Sequence, residues 1–143
     1  MLMKETLVFT GHPLILSRHQ RTFEVTKSSE LTERGDCIIG VNASKAGVDF
    51  DHAFRSMLAD ERTAITITIK VEETAIIIIK ARGHPELTLS DPEELVVRKS
   101  SFISPRTLAV QADKSAADIP RSVVSRLREP NVTGSMEIIL ERD

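Results

Sequence analysis

Gly11-His12-Pro13 recurs as Gly83-His84-Pro85, 72 positions on, and this recurrence constrains the fold more than any other feature of the chain. The same offset carries Lys27-Ser28-Ser29 onto Lys99-Ser100-Ser101 and Arg34 onto Arg106. Beyond the segment 33–36 the offset becomes 69. Val41-Asn42-Ala43-Ser44-Lys45 then falls on Val110-Gln111-Ala112-Asp113-Lys114, Asp49 on Asp118 and Leu58 on Leu127. The sequence therefore reads as two copies, 1–72 and 73–143, of one unit, the second shorter by the difference between the offsets.

The two copies predict the same local structure. Phe50, Ala53, Phe54, Met57 and Leu58 have the spacing of a helix with one apolar face, and Ile119, Val123 and Leu127 occupy the matched positions. Asp49 and Asp118 precede these helices and suit the first free N–H groups, and Pro120 is tolerated in a first turn. Ile65, Ile67, Ile69 and Val71 alternate with polar residues, the pattern of a half-buried strand, while Ala75 to Ile79 has no polar face. Glu72-Glu73-Thr74 joins them as a hairpin. Further strands are expected at Leu7–Thr10, Leu14–Leu16, Thr22–Thr26 and Cys37–Val41. Ile76–Ala81, Leu87–Leu89, Leu95–Val97 and Leu108–Val110 answer these in the second copy, and Met136–Leu140 answers Ile65–Val71. Each copy reads β-β-β-β-α-β. The expectation is a mainly β single domain over 1–143, with about ten short strands and two short helices. The copies pack about a pseudo-twofold axis into a β-sandwich or closed barrel.

Composition narrows the functions such a fold can host. Ile, Leu and Val number 14, 12 and 11 against 5 Phe, with no Tyr and no Trp, so β-branched packing fills the core and aromatic platforms for sugars or bases are absent. A net charge of −2 supplies no global field for nucleic acid or an anionic membrane, so any polyanion site must be local. One cysteine, Cys37, rules out an internal disulfide and fits a reducing compartment. The start of the chain lacks a signal-peptide core, and the longest aliphatic run is too short to cross a bilayer. The expectation is a soluble cytoplasmic protein.

The polar positions shared by the copies are mainly basic: His12 and His84, Lys27 and Lys99, Arg34 and Arg106, Lys45 and Lys114. Lys45 and Lys114 each follow a strand and precede a helix, where backbone N–H groups favour an anion. Together with His12, His84 and Arg98 they form the candidate site for a phosphate-bearing ligand held between the copies. An enzyme acting on a phosphorylated or nucleotide-like molecule would instead centre on positions that differ between copies. Its acid or base is His12 or His19, with Asp36 or Asp113 orienting it. Cys37 beside Asp36 opens an apolar strand, which favours a packing role. The histidines lack metal-ligand spacing, so no metal site is expected, and no cofactor is indicated. Homo-oligomerisation, or a structural subunit in place of a ligand site, completes the set of readings.

Gly11-His12-Pro13, Leu31-Thr32-Glu33-Arg34-Gly35-Asp36-Cys37-Ile38-Ile39-Gly40-Val41, Arg98-Lys99-Ser100 and Ala112-Asp113-Lys114-Ser115-Ala116-Ala117-Asp118 together resemble an archaeal family known as domain of unknown function number three hundred and seventy-one. The resemblance spans nearly the whole chain. It implies an archaeal, β-rich, single-domain cytoplasmic protein similar to a two-sheet sandwich, and it brings no catalytic or binding residue with it.

Overall fold

The computed structural model describes residues 1–31, 35–72 and 74–143. Among them the chain forms strands β1 (Leu2–Thr10), β2 (Thr22–Thr26) and β3 (Ile38–Gly40), helix α1 (His52–Leu58) and strand β4 (Ala64–Val71). It then forms β5 (Ala75–Arg82), β6 (Glu94–Arg98), β7 (Thr107–Ala109), α2 (Arg121–Leu127) and β8 (Thr133–Glu141). A single 3-10 turn, Gly47–Asp49 or Ala116–Asp118, precedes each helix. The element order of the first half thus recurs in the second, with eight strands among the described residues in place of the ten expected.

The missing strands are Leu14–Leu16 and Leu87–Leu89. Each follows a Gly-His-Pro turn whose proline has no N–H to give a ladder, and each runs into a residue with a left-handed backbone, Ser17 at φ 50° or Leu89 at φ 44°. Ile15, Leu87 and Leu89 are still buried, so these segments contribute side chains to the core without pairing their backbones.

One sheet is antiparallel in the order β1-β8-β4-β5. The other has the order β3-β2-β6-β7, with β2 and β6 antiparallel at its centre and β3 and β7 parallel to their neighbours. Among the described residues the sheets meet at their corners through isolated bridges at Thr10–Val41 and Arg82–Val110 and share no continuous ladder, so the architecture is a sandwich rather than a closed barrel. Strand register is symmetric about Glu24–Val96 in one sheet and Thr68–Glu137 in the other. Positions matched between the halves therefore fall on opposite sides of those pairs in the register.

Alternation places Ile65, Ile67, Ile69, Met136, Ile138 and Leu140 in one continuous core with Phe23, Val25, Leu95 and Val97 of the facing sheet. Counterpart positions trade volume. Phe9 lies across from Gly134 and against Gly40, whereas in the other half Ala81 lies across from Ile65 and Ala109 stands in place of Gly40. The helices are placed by the Gly-His-Pro turns of the opposite half. His12 N–H donates to Leu127 O at 2.8 Å, and His84 N–H donates to Leu58 O at 3.1 Å. A Cβ at Gly11 would lie 2.2 Å from Leu127 O, and one at Gly83 would lie 2.5 Å from Leu58 O, so both turns require glycine.

Two local expectations change. The cap of α1 is Asp51, which accepts from Ala53 N–H, while Asp49 and Asp118 turn backward to accept from Ala46 and Ser115 N–H. Ala53, expected on the buried face of α1, is exposed, and Phe54, Met57 and Leu58 carry that face.

Candidate functional site

The structure does not gather the five residues expected to hold an anion. Lys45 pairs with Glu5 of β1 at 2.6 Å, and Lys114 donates to Ile78 O of β5 at 2.7 Å. β1 and β5 are the opposite edges of their sheet, so the two lysines face away from each other. Arg98 lies in the other sheet, where its guanidinium donates to Thr107 Oγ1 at 2.9 Å and to Ser104 Oγ at 3.2 Å and stacks over Phe102. His12 and His84 sit in the two Gly-His-Pro turns, where each Nδ1 accepts a backbone N–H, from Leu14 and Glu86 respectively. The physical reason is the register, which puts matched positions close together only near the Glu24–Val96 and Thr68–Glu137 pairs. Lys27 and Lys99 are likewise paired, with Asp49 and Asp118.

The acid–base candidates are occupied with backbone. His19 Nδ1 accepts from the N–H groups of Arg21 and Thr22. Asp36 contributes its carbonyl oxygen to the N–H groups of Arg18 and His19. Asp113 Oδ1 accepts from Lys80 N–H at 3.0 Å, as Ser44 Oγ accepts from Val8 N–H in the other half. Burial pushes the Cys37 thiol up to about 11, with Glu24 and Asp36 adding to the effect, so it is an inert thiol rather than half of a reactive pair. Arg34 lies outside the described residues, with Thr32 and Glu33. The counterpart of Arg106 is Cys37: Cys37 O accepts from Glu24 N–H, and Arg106 O accepts from Val96 N–H.

Arg106 belongs to a buried polar cluster that the sequence reading passed over. Glu24, in the middle of β2 and facing away from the core, is 4% exposed. Arg106 bridges it to Glu94, at 3.2 and 2.8 Å. Burial first, and then the adjacent Glu94, raise the Glu24 carboxyl from 4.5 to about 8 against the opposing effect of Arg106 and Arg98. A charged residue between Phe23 and Val25 was the available signal.

An open cleft of about 490 Å³ does lie between the halves, lined by Glu61 and Arg62 from one and by Arg82, His84, Ser101 and Gln111 from the other. Arg62 follows α1 and is steadied by a two-pronged contact with Asp60, at 3.1 and 2.8 Å. That contact holds the Asp60 carboxyl far below the usual range, since its ionised form receives the Arg62 side chain and N–H, and Arg142 as well. Arg82 ends β5 and touches Glu61 O at 3.2 Å. Because Nδ1 of His84 accepts from Glu86, the neutral ring carries its proton on Nε2, which has no protein partner among the described residues. Two guanidinium groups and an imidazole line this opening, Arg62 with Nε and Nη2 already on Asp60 and Arg82 with Nη2 on Glu61 O, and their remaining N–H groups are a donor set suited to the oxygens of a phosphate. The corresponding positions in the other half are Asn131, Thr10, His12, Ser29 and Asn42, so Arg62 and Arg82 have no basic counterpart.

Residues 7–141 match the family described as a domain of unknown function, DUF371. The chain belongs to that family. An uncharacterised protein of Methanocaldococcus jannaschii is 42% identical to the DUF371 domain over 119 residues, covering 83% of this chain and 87% of that protein. Among the described residues of the DUF371 domain, no helix is long and apolar enough to cross a membrane, and no group of His, Cys, Asp and Glu has the arrangement of a metal site.

Proposed function

We propose that the DUF371 domain is an internal duplication that serves as a small binding protein for an anionic, phosphate-bearing ligand. The ligand sits between the two halves, in the cleft of Arg62, Arg82 and His84. The observation that carries this reading is that those three side chains line one opening, while the positions matching Arg62 and Arg82 in the other half hold Asn131 and Thr10. His84 is retained from the sequence-based set, and Arg62 and Arg82 take the places of Lys45, Lys114 and Arg98.

Calorimetric titration with inorganic phosphate and pyrophosphate tests the reading. Saturable binding is expected, weakened roughly tenfold or more by Arg82→Thr or Arg62→Asn, the residues found at the counterpart positions. Absence of saturable binding, or variants that bind like the parent, would overturn it.

A complex-forming role is the second reading, supported by Ile76 and Ile78, which are 58% and 47% exposed on the outer strand β5. Light-scattering mass in solution checks it, with a strict monomer counting against self-association through that strand.

A further inference from the structure

The phosphate cleft runs into a second depression of about 440 Å³ along the outer face of β4 and β5. Thr66, Lys80, Arg82, Gln111, Asp113 and Glu141 line it, and Arg82 and Gln111 belong to both. Arg82 lies beside Ala64 and Lys80 beside Thr66 in the strand register. Two residues of strand advance by about 7 Å, close to the span of a five-carbon sugar. The groove's first end carries Arg62, Arg82 and His84, with Glu141 in the same row of the sheet as Arg82, across Ala64. Its second carries Asp113 beside Lys80, which holds Thr66 Oγ1 at 3.0 Å, and Lys114 Nζ lies 3.9 Å from Asp113 Oδ1.

The equivalent depression in the other half, lined by Val8, Lys70, Glu72, Thr133, Gly134 and Ser135, is smaller, at about 290 Å³. There Val8, Thr10 and Ser44 stand where this groove has Lys80, Arg82 and Asp113. The exchange of Ser44 for Asp113 is the informative one. A hydroxyl suffices for the scaffold's hydrogen bond, because Ser44 Oγ caps Val8 N–H at 3.0 Å just as Asp113 Oδ1 caps Lys80 N–H. A carboxylate is therefore not required for that hydrogen bond; its Oδ1 also lies 3.9 Å from Lys114 Nζ, and its Oδ2 has no hydrogen-bond partner among the described residues.

We propose that this groove binds a phosphorylated polyol of pentose size, with its phosphate at Arg62, Arg82 and His84 and its hydroxyl groups donating to Asp113. A carboxylate accepts two neighbouring hydroxyls. No aromatic side chain lines either depression, so the groove offers a base no stacking surface and the sugar itself is what is recognised.

The inference rests on the phosphate reading above, and one pair of titrations separates the two. Inorganic phosphate and ribose 5-phosphate are titrated into the parent protein and into Asp113→Ser, which keeps the strand cap in the form the other half uses. Ribose 5-phosphate is expected to bind the parent about tenfold more tightly than phosphate. In Asp113→Ser that ratio falls to about one while phosphate binds at least as well as before. Equal affinities in the parent, or a ratio that survives the substitution, overturn the sugar assignment and leave the phosphate reading standing. Failure of both ligands to bind the parent overturns both.

Discussion

His19 and Asp91 make the same contact with different chemistry. His19 Nδ1 accepts from the N–H groups of Arg21 and Thr22, both at 3.1 Å, and Asp91 Oδ2 accepts from those of Glu93 and Glu94, at 3.0 and 2.8 Å. Each ties down the entry to a central strand, β2 or β6. The difference between the halves at this position, which from sequence pointed to catalysis, is an exchange of one acceptor for another.

His19→Asp is therefore expected to unfold in urea within about 0.5 kcal/mol of the parent, since the other half shows that the carboxylate fits. His19→Ala leaves two N–H groups unmet and is expected to lose about 1 kcal/mol. Equal losses in the two variants would show that the contact is not what fixes this corner.

The Glu24 carboxyl gives a pH dependence of definite sign. Burial first, and then Glu94, raise it from 4.5 to about 8, so the folded state holds this proton more tightly than the unfolded chain does. Its favourable contribution is complete below pH 4.5 and is lost as pH rises toward 8, because the unfolded chain releases the proton first. Glu24→Gln keeps the shape and removes the titration. Its stability relative to the parent is expected to rise steadily between pH 5 and pH 8 in urea melts, and a difference that stays flat across that range contradicts the assignment.

Repetition within the chain reveals what both halves need, and that is scaffold. Gly11 and Gly83, His12 and His84, Lys27 and Lys99 and the pair Asp49 and Asp118 are all legible as recurrences, and all hold turns, helices or caps in place. Alternation in Ile65–Val71 and Met136–Leu140 was legible because one face of that sheet is buried and the other is wet. Leu14–Leu16 and Leu87–Leu89 misled because buried side chains leave the same pattern whether or not the backbone pairs, and the left-handed Ser17 and Leu89 are not glycines. Arg62 and Arg82 were missed for the opposite reason. They belong to one half only, so a comparison built on identities passes over them, while their place on one opening depends on α1 of one half ending beside β5 of the other.

Gly83 closes the turn that receives the end of α1, and a methyl group there has no room. Its Cβ would meet both Leu58 O and Asp60 O at 2.5 Å, backbone atoms fixed by the helix end. Gly83→Ala is expected to cost about 1–3 kcal/mol or more. Because the same shift displaces His84 and Arg62, phosphate affinity should fall with it. Thermal melts and phosphate titration on the same sample check both parts, and a variant with the parent's melting temperature would show that the turn has slack.

The core offers a test of the relation between the halves that does not involve the cleft. Phe9 fills the space over Gly134, whose added Cβ would lie 2.4 Å from the Phe9 ring, whereas in the other half Ala81 sits opposite Ile65. Phe9→Ala alone opens a cavity and is expected to cost about 3–5 kcal/mol. Gly134→Ile alone drives a side chain into the Phe9 ring and is expected to be at least as damaging. The double variant recreates the Ala81–Ile65 pairing. It should be more stable than either single variant, with a favourable coupling of roughly 1–3 kcal/mol in a double-mutant cycle by urea unfolding. Additive losses would show that the two sites pack differently despite their matching register, and that the volume exchange between the halves is coincidental.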